Sequence, residues 1–404
     1  MSVTDERPSG TAVRGGLPAD QQPDWPDRSA LLATAAELSG CPPLVLPAEC
    51  DLLTERLAAV ARGEAILLQG GDCAETFDGV SQEQVAGKFH TLGDMAAVIS
   101  DAVQLPVVRV GRIAGQFAKP RSRPEETRNG VTLPVYRGDI VNGAAFDARE
   151  RTPDPRRLKR AYHASATILN LLRAHASEHC AEFWTSHEAL ILEYERALTR
   201  ETELGTYALS AHLLWTGERT RRLDGAHIDF AARVRNPVAV KLGPSATADE
   251  ALALVDRLDP ERRPGRLTFI ARMGARSVRD ALPDLVAKVT ASGAQPVWVC
   301  DPMHGNGVEA PSGHKTRRFD DVADEVVGFF EVHESLGTHP GGVHAELTGE
   351  DVTECLGGTC AVLPADLPTR YETACDPRLN RDQAFDLAFL LAERYARAYP
   401  NPRR

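Results

Sequence analysis

The chain has 404 residues, 43% of them apolar and 25% charged, which is enough for one large α/β domain or for two to three smaller ones. Its 46 basic and 57 acidic residues give a formal net charge of −11, and no long basic run is present, which argues against nucleic acid as a partner. The mean hydropathy is −0.27, and the sequence has no long apolar run, so we expect no membrane span. It also has no apolar stretch near its start, so we expect no secretory signal and a cytoplasmic protein.

The eight cysteines are spread singly along the chain. None belongs to a CxxC pair, which excludes the common zinc-ribbon and thioredoxin patterns. Cysteines of an intracellular chain of this size are most often reduced and buried, so we expect most of them to be small core residues.

The N-terminal part of the sequence differs in composition from the rest. Residues 1–28 are rich in Pro, Gly, Asp and Gln, so we expect them to be flexible or ordered only by docking. Helices are predicted over 29–39 and 49–62, where Ala and Leu recur at helical spacing. We therefore expect an N-terminal extension over residues 1–62 and a single larger unit over residues 63–404.

Eight short apolar runs recur after the extension, and several are apolar at consecutive positions, as in parallel strands buried on both faces. The predicted strands are Ala65–Gln69, Val107–Val110, Phe183–Thr185, Leu213–Trp215, Val238–Leu242, Leu267–Ala271, Val297–Cys300 and Val343–Leu347. The predicted helices between and after them cover 81–101, 155–175, 188–202, 247–258, 276–291, 318–335 and 381–398. Eight strands alternating with helices predict a (β/α)8 barrel.

Barrel enzymes carry their active sites at the carboxyl ends of the strands, and every predicted strand ends in charged or potential ligand residues. The cations in these positions are Arg112, Lys119, Arg121, Arg219, Lys241 and Arg272. Each taken singly is more commonly part of a solvated surface ion pair. Six cations around one mouth of an acidic protein instead indicate a substrate with more than one anionic group.

Four potential metal ligands fall at the same end of the predicted barrel. Cys73 and His304 follow the first and seventh strands, Glu346 lies on the eighth strand, and Asp376 lies in the loop after it. One thiolate, one imidazole and two carboxylates form a mixed set that suits a divalent transition metal. His304 alone is equally well explained as a hydrogen-bonded loop residue. The sequence lacks a P-loop, an HExxH motif, a dinucleotide-binding loop and a G-x-S-x-G elbow.

Nine longer motifs occur in chain order: GGDCAE, RIAGQFAKPRS, YRGDIVNG, SHEALILEYE, GERTRRLDGAHI, VKLGP, DPMHGN, GGVHAELTG and ACDPRLNRDQ. Together they resemble the type II 3-deoxy-D-arabino-heptulosonate 7-phosphate (DAHP) synthases, the plant- and actinobacterial-type enzymes at the entrance of the shikimate pathway. The resemblance runs from about residue 22 to about residue 391. It implies a (β/α)8 barrel with an N-terminal extension and a transferase that joins phosphoenolpyruvate to erythrose 4-phosphate.

The resemblance also implies a role for each candidate residue. The implied ligands of a divalent metal, Mn²⁺ or alternatively Co²⁺, are Cys73, His304, Glu346 and Asp376. Phosphoenolpyruvate would be held by Arg112, Glu218, Arg219, Lys241 and Arg272. The sugar phosphate would be held by Lys119, Pro120, Arg121, Ser122 and Glu188. We expect Lys241 to act in catalysis as a proton donor and Cys73 and His304 to act through the metal.

One feature departs from the longer members of the family, which carry an extra helix pair between strands 2 and 3 that helps to bind aromatic amino acids. Here residues 173–182 lead almost directly into the third strand. This resembles the short subgroup of secondary metabolism, such as phenazine formation, and predicts little or no feedback inhibition by Phe, Tyr or Trp. We expect a homodimer or tetramer.

Three other interpretations fit part of the pattern. A metal-dependent aldolase unrelated to the family would fit the barrel and the metal ligands but not the long motifs. An amino-DAHP synthase, which uses an imino form of erythrose 4-phosphate, would have nearly the same mouth residues and remains the alternative. A binding or scaffolding relative of the fold would be expected to have lost ligands, but none of the four metal positions is lost.

Overall fold

The computed structural model describes residues 12–14 and 16–398, and its central feature is a closed barrel of eight parallel strands. In chain order, the barrel strands are β3 (Ile66–Gly71), β4 (Val107–Arg112), β7 (Trp184–Glu188), β10 (Leu213–Thr216), β11 (Val238–Leu242), β12 (Leu267–Ala271), β13 (Val297–Cys300) and β16 (Gly342–Glu346). They neighbour each other in this order, and β16 closes the barrel by pairing with β3. All eight predicted strands are present within three residues of their predicted bounds, so the (β/α)8 fold is confirmed.

Short antiparallel hairpins decorate the barrel and were not predicted. They pair β1 (Ala12–Arg14) with β2 (Leu17–Ala19), β5 (Glu125–Arg128) with β6 (Val131–Pro134), β8 (Thr199–Thr202) with β9 (Gly205–Ala208), and β14 (Val308–Glu309) with β15 (Lys315–Thr316). Each strand is two to four residues long, too short for a clear alternation of apolar and polar residues.

Helices surround the barrel. They are α1 (Arg28–Ser39), α2 (Pro47–Ala61), α3 (Gln82–Val103), α4 (Ala148–Arg151), α5 (Arg157–Glu178), α6 (Leu192–Ala197), α7 (Ala226–Arg233), α8 (Ala248–Leu258), α9 (Val278–Ala291), α10 (Phe319–Leu336) and α11 (Arg381–Ala398). Several begin at the expected caps: the Ser81 hydroxyl accepts from the backbone N–H of Gln84, and Thr247 forms a capping box with Glu250. No helix in the described ranges is long and apolar enough to cross a membrane.

The helix predicted over 188–202 is mostly wrong. Glu188 ends strand β7, the helix spans only Leu192–Ala197, and the hairpin β8–β9 follows. Thr199 and Thr202 are β-branched residues that favour extended backbone, and Gly205 takes a φ of 128° at the turn. The apolar spacing from 190 onward resembles a helix because these side chains pack inward from a short helix and a loop.

The N-terminal part contacts both ends of the barrel. Leu53, Leu57 and Val60 of α2 pack with apolar residues inside the barrel, such as Leu67 and Ile270, so α2 covers the amino ends of the strands. At the other end, Gln21 accepts from the backbone N–H of Arg121 over 2.8 Å through its side chain, and Gln22 donates to the carbonyl of Leu190. Residues 1–11 and 15 of the segment expected to be flexible lie outside the described residues, and a separate extension over 1–62 stays a prediction.

Candidate active site

A cavity of about 1040 Å³ opens at the carboxyl ends of the barrel strands. Every site residue predicted from the sequence lines it except Glu346: Cys73, Arg112, Lys119, Pro120, Arg121, Ser122, Glu188, Glu218, Arg219, Lys241, Arg272, His304 and Asp376. Glu346 is fully buried just behind this wall, with its Oε1 atom 3.0 Å from His304 Nε2. The hairpin β5–β6, which the sequence did not predict, forms part of the rim. The structure thus brings the predicted residues together, while their individual roles stay predictions.

The four candidate metal ligands lie side by side. Ligand atoms of Cys73, Glu346 and Asp376 all lie within 4.8 Å of one another. His304 joins this group through the 3.0 Å contact of its Nε2 with Glu346. Strand ends place three of these residues, since Cys73 follows β3 closely, Glu346 ends β16, and His304 follows β13. The cluster joins residues that are as far apart in sequence as Cys73 and Asp376.

Asp301, which the sequence analysis did not select, orients His304. Its carboxylate lies 2.8 Å and 3.0 Å from His304 Nδ1 and accepts from the backbone N–H of Met303 and His304. A carboxylate that accepts from Nδ1–H leaves Nε2 as the ligand atom, as in the carboxylate–histidine–metal arrangement. Asp301 also accepts from Lys241 Nζ over 2.8 Å. Its place directly after the seventh strand was the signal that could have identified it.

A cation already lies among the candidate ligands. The Lys119 ammonium is 2.8 Å from Cys73 Sγ, 2.7 Å from an Asp376 carboxylate oxygen and 3.7 Å from Glu346 Oε1. Burial would lower the pKa of Lys119, but the charge of Asp376, followed by that of Cys73, raises this pKa well above its ordinary value. The group therefore attracts positive charge, and its thiolate, imidazole and carboxylate donors fit a divalent transition metal.

Nearby cations also lower the pKa values of the two candidate carboxylate ligands. Burial would raise the pKa of Glu346, but the charges of His304, Lys119 and Arg317 hold it well below the ordinary range. The charge of Lys119 likewise holds the pKa of Asp376 well below its ordinary value. Burial, a hydrogen bond with Cys375 and the charge of Glu346 raise the pKa of the Cys73 thiol. A divalent cation would reverse this last effect, because metal binding favours the thiolate.

Arg112 is held by a buried chain of hydrogen bonds. Its guanidinium donates to the Asp72 carbonyl over 3.1 Å, to Glu346 Oε1 over 3.0 Å and to His344 Nε2. Because an arginine only donates, His344 Nε2 must accept, so its Nδ1–H donates to Gln69 Oε1 over 2.7 Å. Burial and nearby cations lower the pKa of His344 well below its ordinary value, consistent with this neutral form. His344 lies two residues before Glu346 on one strand, a period-two signal that could have identified it.

The turn that leads to Lys119 depends on Glu75. Its buried carboxylate accepts from the backbone N–H groups of Ala114, Gly115 and Gln116 over 3.0, 2.9 and 2.7 Å. Gly115 has a φ of 158°, and a Cβ at this position would lie 2.2 Å from His187 Nδ1, so no larger residue fits. The sequence analysis did not select Glu75, although it lies in the GGDCAE motif beside Cys73.

Some of the remaining side chains around the cavity are held by hydrogen bonds, whereas others have a polar atom without a hydrogen-bond partner. Arg219 donates to the Ser122 hydroxyl over 2.8 Å, and Arg272 donates to the His304 carbonyl over 2.8 Å. Glu188 Oε1 and Trp215 Nε1 are buried without a hydrogen-bond partner within the described structure, and both residues line the cavity. Buried polar atoms normally have a hydrogen-bond partner, so these two atoms are exceptions next to the cavity.

A barrel mouth that combines several buried cations with candidate metal ligands is typical of one enzyme class, the barrel enzymes that act on anionic substrates. Comparison with known proteins narrows this class. A family model described as the class-II DAHP synthetase family matches residues 12–182 and 176–392. The chain is 56% identical over 439 aligned positions to a phospho-2-dehydro-3-deoxyheptonate aldolase of Streptomyces coelicolor, covering 96% of this chain and 98% of the relative.

A second relative gives the same result. The phospho-2-dehydro-3-deoxyheptonate aldolase AroG of Mycolicibacterium smegmatis is 47% identical over 432 positions, covering 93% of this chain and 92% of the relative. The chain therefore belongs to the class-II DAHP synthase family and is an enzyme of that family. The resemblance inferred from the nine motifs is confirmed.

Proposed function

We propose that this enzyme is a metal-dependent transferase that joins phosphoenolpyruvate to erythrose 4-phosphate, releases inorganic phosphate and so opens the shikimate pathway. The supporting observation is the convergence of buried Arg112, Lys119 and Lys241 in one cavity beside the candidate metal ligands. The reactant pair carries two phosphates and a carboxylate, which repel each other unless cations lie between them. Both relatives are named phospho-2-dehydro-3-deoxyheptonate aldolase.

Phosphoenolpyruvate is proposed to occupy the side of the cavity formed by Arg112, Glu218, Arg219, Lys241 and Arg272. Arginine is suited to bidentate binding of phosphate and carboxylate groups. Arg272 is fixed by the His304 carbonyl, and Glu218 accepts from the backbone N–H of Gly243 over 2.7 Å, so neither has to be ordered when the substrate binds.

Erythrose 4-phosphate is proposed to occupy the side formed by Lys119, Pro120, Arg121, Ser122 and Glu188. Glu188 lines this side of the cavity, and its buried Oε1 atom, which lacks a hydrogen-bond partner within the described residues, is proposed to accept from a sugar hydroxyl once the substrate binds. Burial raises the pKa of Glu188, opposed by the charges of Lys241 and Lys119. Binding of a hydroxyl would therefore satisfy a carboxyl group that otherwise lacks one partner.

A divalent metal, Mn²⁺ or alternatively Co²⁺, is proposed to bind Cys73, His304, Glu346 and Asp376. When bound, it would supply Lewis-acid polarisation of the aldehyde oxygen. Asp301 keeps His304 in the tautomer that presents Nε2, and Arg112 and Arg317 hold the Glu346 carboxylate from both sides. These contacts hold the His304 and Glu346 side chains in place before a metal or a substrate binds.

In the reaction, the methylene carbon C3 of phosphoenolpyruvate forms a bond to the aldehyde carbon, and positive charge develops at C2, the carbon that carries the phosphate ester. Water adds at C2, and cleavage of the C2–O bond releases inorganic phosphate and leaves a carbonyl at C2. One proton of the water leaves with the phosphate, and the other replaces the proton that the enzyme gives to the aldehyde oxygen. Lys241 is proposed to give a proton to the aldehyde oxygen, because burial lowers the pKa of Lys241 and makes transfer easier. Asp301, 2.8 Å away, holds the ammonium in position.

The test is phosphate release from phosphoenolpyruvate plus erythrose 4-phosphate, measured with and without chelator and then after Mn²⁺ is added back. We expect release that stops with chelator and returns with Mn²⁺. Absence of chelator-sensitive release would discard the proposal. A parallel reaction with the imino form of erythrose 4-phosphate distinguishes the amino-DAHP alternative, which predicts the faster rate with that substrate.

We further propose that Phe, Tyr and Trp do not inhibit this enzyme, as in the short subgroup of secondary metabolism. Helix α5 ends at Glu178, and β7 begins at Trp184, so residues 179–183 leave no room for a helix pair. The two segments that match the family model meet at this same loop, and both alignments are longer than the chain itself. Inhibition by any of the three amino acids at physiological concentration would refute the proposal.

A homodimer or tetramer is proposed because closed symmetric assemblies are the common form of soluble oligomers. Leu32 on α1 and Phe389 on α11 are 66% and 61% exposed, respectively, so large apolar side chains are available for such contacts. Light scattering during size-exclusion chromatography would give the mass, and a monomer at micromolar concentration would contradict this proposal.

A further inference from the structure

Arg317 lies outside the strand ends that carry the other site residues, between strand β15 and helix α10. Its side chain is buried and donates three hydrogen bonds in different directions. Nε donates to the Met303 carbonyl over 2.7 Å, Nη2 donates to Glu346 Oε2 over 2.8 Å, and Nη1 donates to the Pro377 carbonyl. One rigid, planar group thus joins three separate segments of the chain.

Each of these acceptors is a proposed metal ligand or its neighbour in sequence. Glu346 is itself a candidate ligand. Met303 precedes His304, and Pro377 follows Asp376. The spacing of three ligand-bearing segments is therefore set by the fixed geometry of one guanidinium. Arg317 does not belong to the described residues that line the cavity, so it is placed to act through the ligands rather than on a substrate.

The contact with Arg317 also gives the two carboxylate oxygens of Glu346 different surroundings. Oε2 accepts from Arg317, whereas Oε1 accepts from Arg112, faces His304 and lies 3.7 Å from Lys119, on the side of the candidate metal position. A carboxylate held in this way presents one oxygen to a cation. Lysine at position 317 would keep the charge but could not reach three acceptors at once.

From these contacts we propose that Arg317 is a positioning residue that sets the geometry and the affinity of the metal site; this rests on the proposed function. The protein offers a matched control in Arg266, which is also buried and donates to the carbonyls of Asn236 and Ala231. Arg266 lies at the amino ends of the strands, since its own carbonyl accepts from Val238 N–H at the start of β11. A purely structural role predicts that both arginines behave alike.

The experiment compares Arg317→Lys and Arg266→Lys in the full chain, after removal of bound metal. Mn²⁺ affinity is measured by calorimetry, and the thiolate-to-metal charge-transfer absorption is measured with Co²⁺. We expect Arg317→Lys to weaken Mn²⁺ binding about 10- to 100-fold and to alter the Co²⁺ spectrum, as for other residues that hold metal ligands. Arg266→Lys should lower the unfolding temperature but leave Mn²⁺ affinity and the spectrum unchanged.

Other outcomes separate the inference from the function on which it rests. Arg317→Lys that binds Mn²⁺ as tightly as the wild type, with the same Co²⁺ spectrum, would overturn the positioning role alone. Wild-type protein that binds no Mn²⁺ would overturn the metal site and this inference together. Arg317→Gln, which keeps two donors but no charge, provides the same comparison if the lysine variant does not fold.

Discussion

Replacement of Lys119 by methionine should strengthen metal binding, although Lys119 is itself part of the candidate substrate site. The ammonium lies 2.8 Å from Cys73 Sγ and 2.7 Å from Asp376, in the position where the ligand geometry fits a cation. A metal can bind only when this ammonium leaves. Methionine keeps an unbranched side chain, one atom shorter than that of lysine, and removes the competing charge.

The size of the effect follows from the two short contacts. Hydrogen bonds to charged groups contribute about 1.5–3 kcal/mol each. Two bonds from one ammonium are not additive, so the pair counts as roughly one such bond, and about 1.5–3 kcal/mol opposes metal binding. Lys119→Met should therefore tighten Mn²⁺ binding about 10- to 100-fold.

Calorimetric titration of metal-free protein with Mn²⁺ at one fixed pH measures this change, because ligand deprotonation makes metal affinity depend on pH. Lys315→Met is the matched control: Lys315 also contacts Asp376, at 3.3 Å, but its side chain is 59% exposed, so we expect less than about a fivefold change. Inorganic phosphate should tighten Mn²⁺ binding to the wild type, by drawing Lys119 away, but not to Lys119→Met. If Lys119→Met binds Mn²⁺ no more tightly than Lys315→Met, the Lys119 ammonium does not compete with the metal.

Three further predictions concern activity and stability. Cys73→Ser should lose most metal-dependent turnover, and full activity of this variant after metal removal would exclude Cys73 as a ligand. Glu75→Gln should lower the free energy of unfolding in urea by about 2–4 kcal/mol, because an amide cannot accept from all three backbone N–H groups; an unchanged midpoint and slope would contradict this. Burial, with a smaller effect of His339, lowers the pKa of His333 to about 3 in the folded protein. Between pH 6.5 and 3 the unfolded chain therefore binds a proton at His333 that the folded protein does not, so stability should fall as the pH drops through this range. His333→Gln should reduce this slope by up to about 1.4 kcal/mol per pH unit, measured by urea unfolding at several pH values; an equal slope in both proteins would show that His333 does not titrate in this way.

The sequence was sufficient to predict which residues meet at the barrel mouth. Cys73 and His304 are distant in sequence, yet each follows a buried apolar run, and parallel strands of a barrel bring their carboxyl ends to one face. The same rule places Arg112 and Lys241 in the cavity. These predictions needed only the positions of the strand ends, which buried runs define to within three residues.

Other parts of the site depend on geometry that local sequence does not encode. Arg317 and Arg318 are adjacent arginines, and nothing in their pattern shows that Arg317 is buried on Glu346 whereas Arg318 is exposed just before α10. The position of the Lys119 ammonium depends on its side-chain conformation between Cys73 and Asp376, which come from two different loops. The incorrect helix over 188–202 has a related cause, since its apolar residues follow tertiary packing rather than a continuous helical face.

The charges of the site also imply an order of binding. In the absence of ligands, Lys119 pairs with Asp376 and Cys73, and Lys241 pairs with Asp301, so these buried cations are already compensated. A phosphate that bound first would compete with these carboxylates for Lys119. A divalent cation that bound first would compensate Cys73, Glu346 and Asp376 and release Lys119 for an anion. Binding of the metal before the sugar phosphate is therefore the order that avoids unpaired buried charge at every step. In steady-state kinetics at limiting Mn²⁺, the apparent KM for erythrose 4-phosphate should fall as the Mn²⁺ concentration rises. A KM that does not depend on Mn²⁺ would contradict this order.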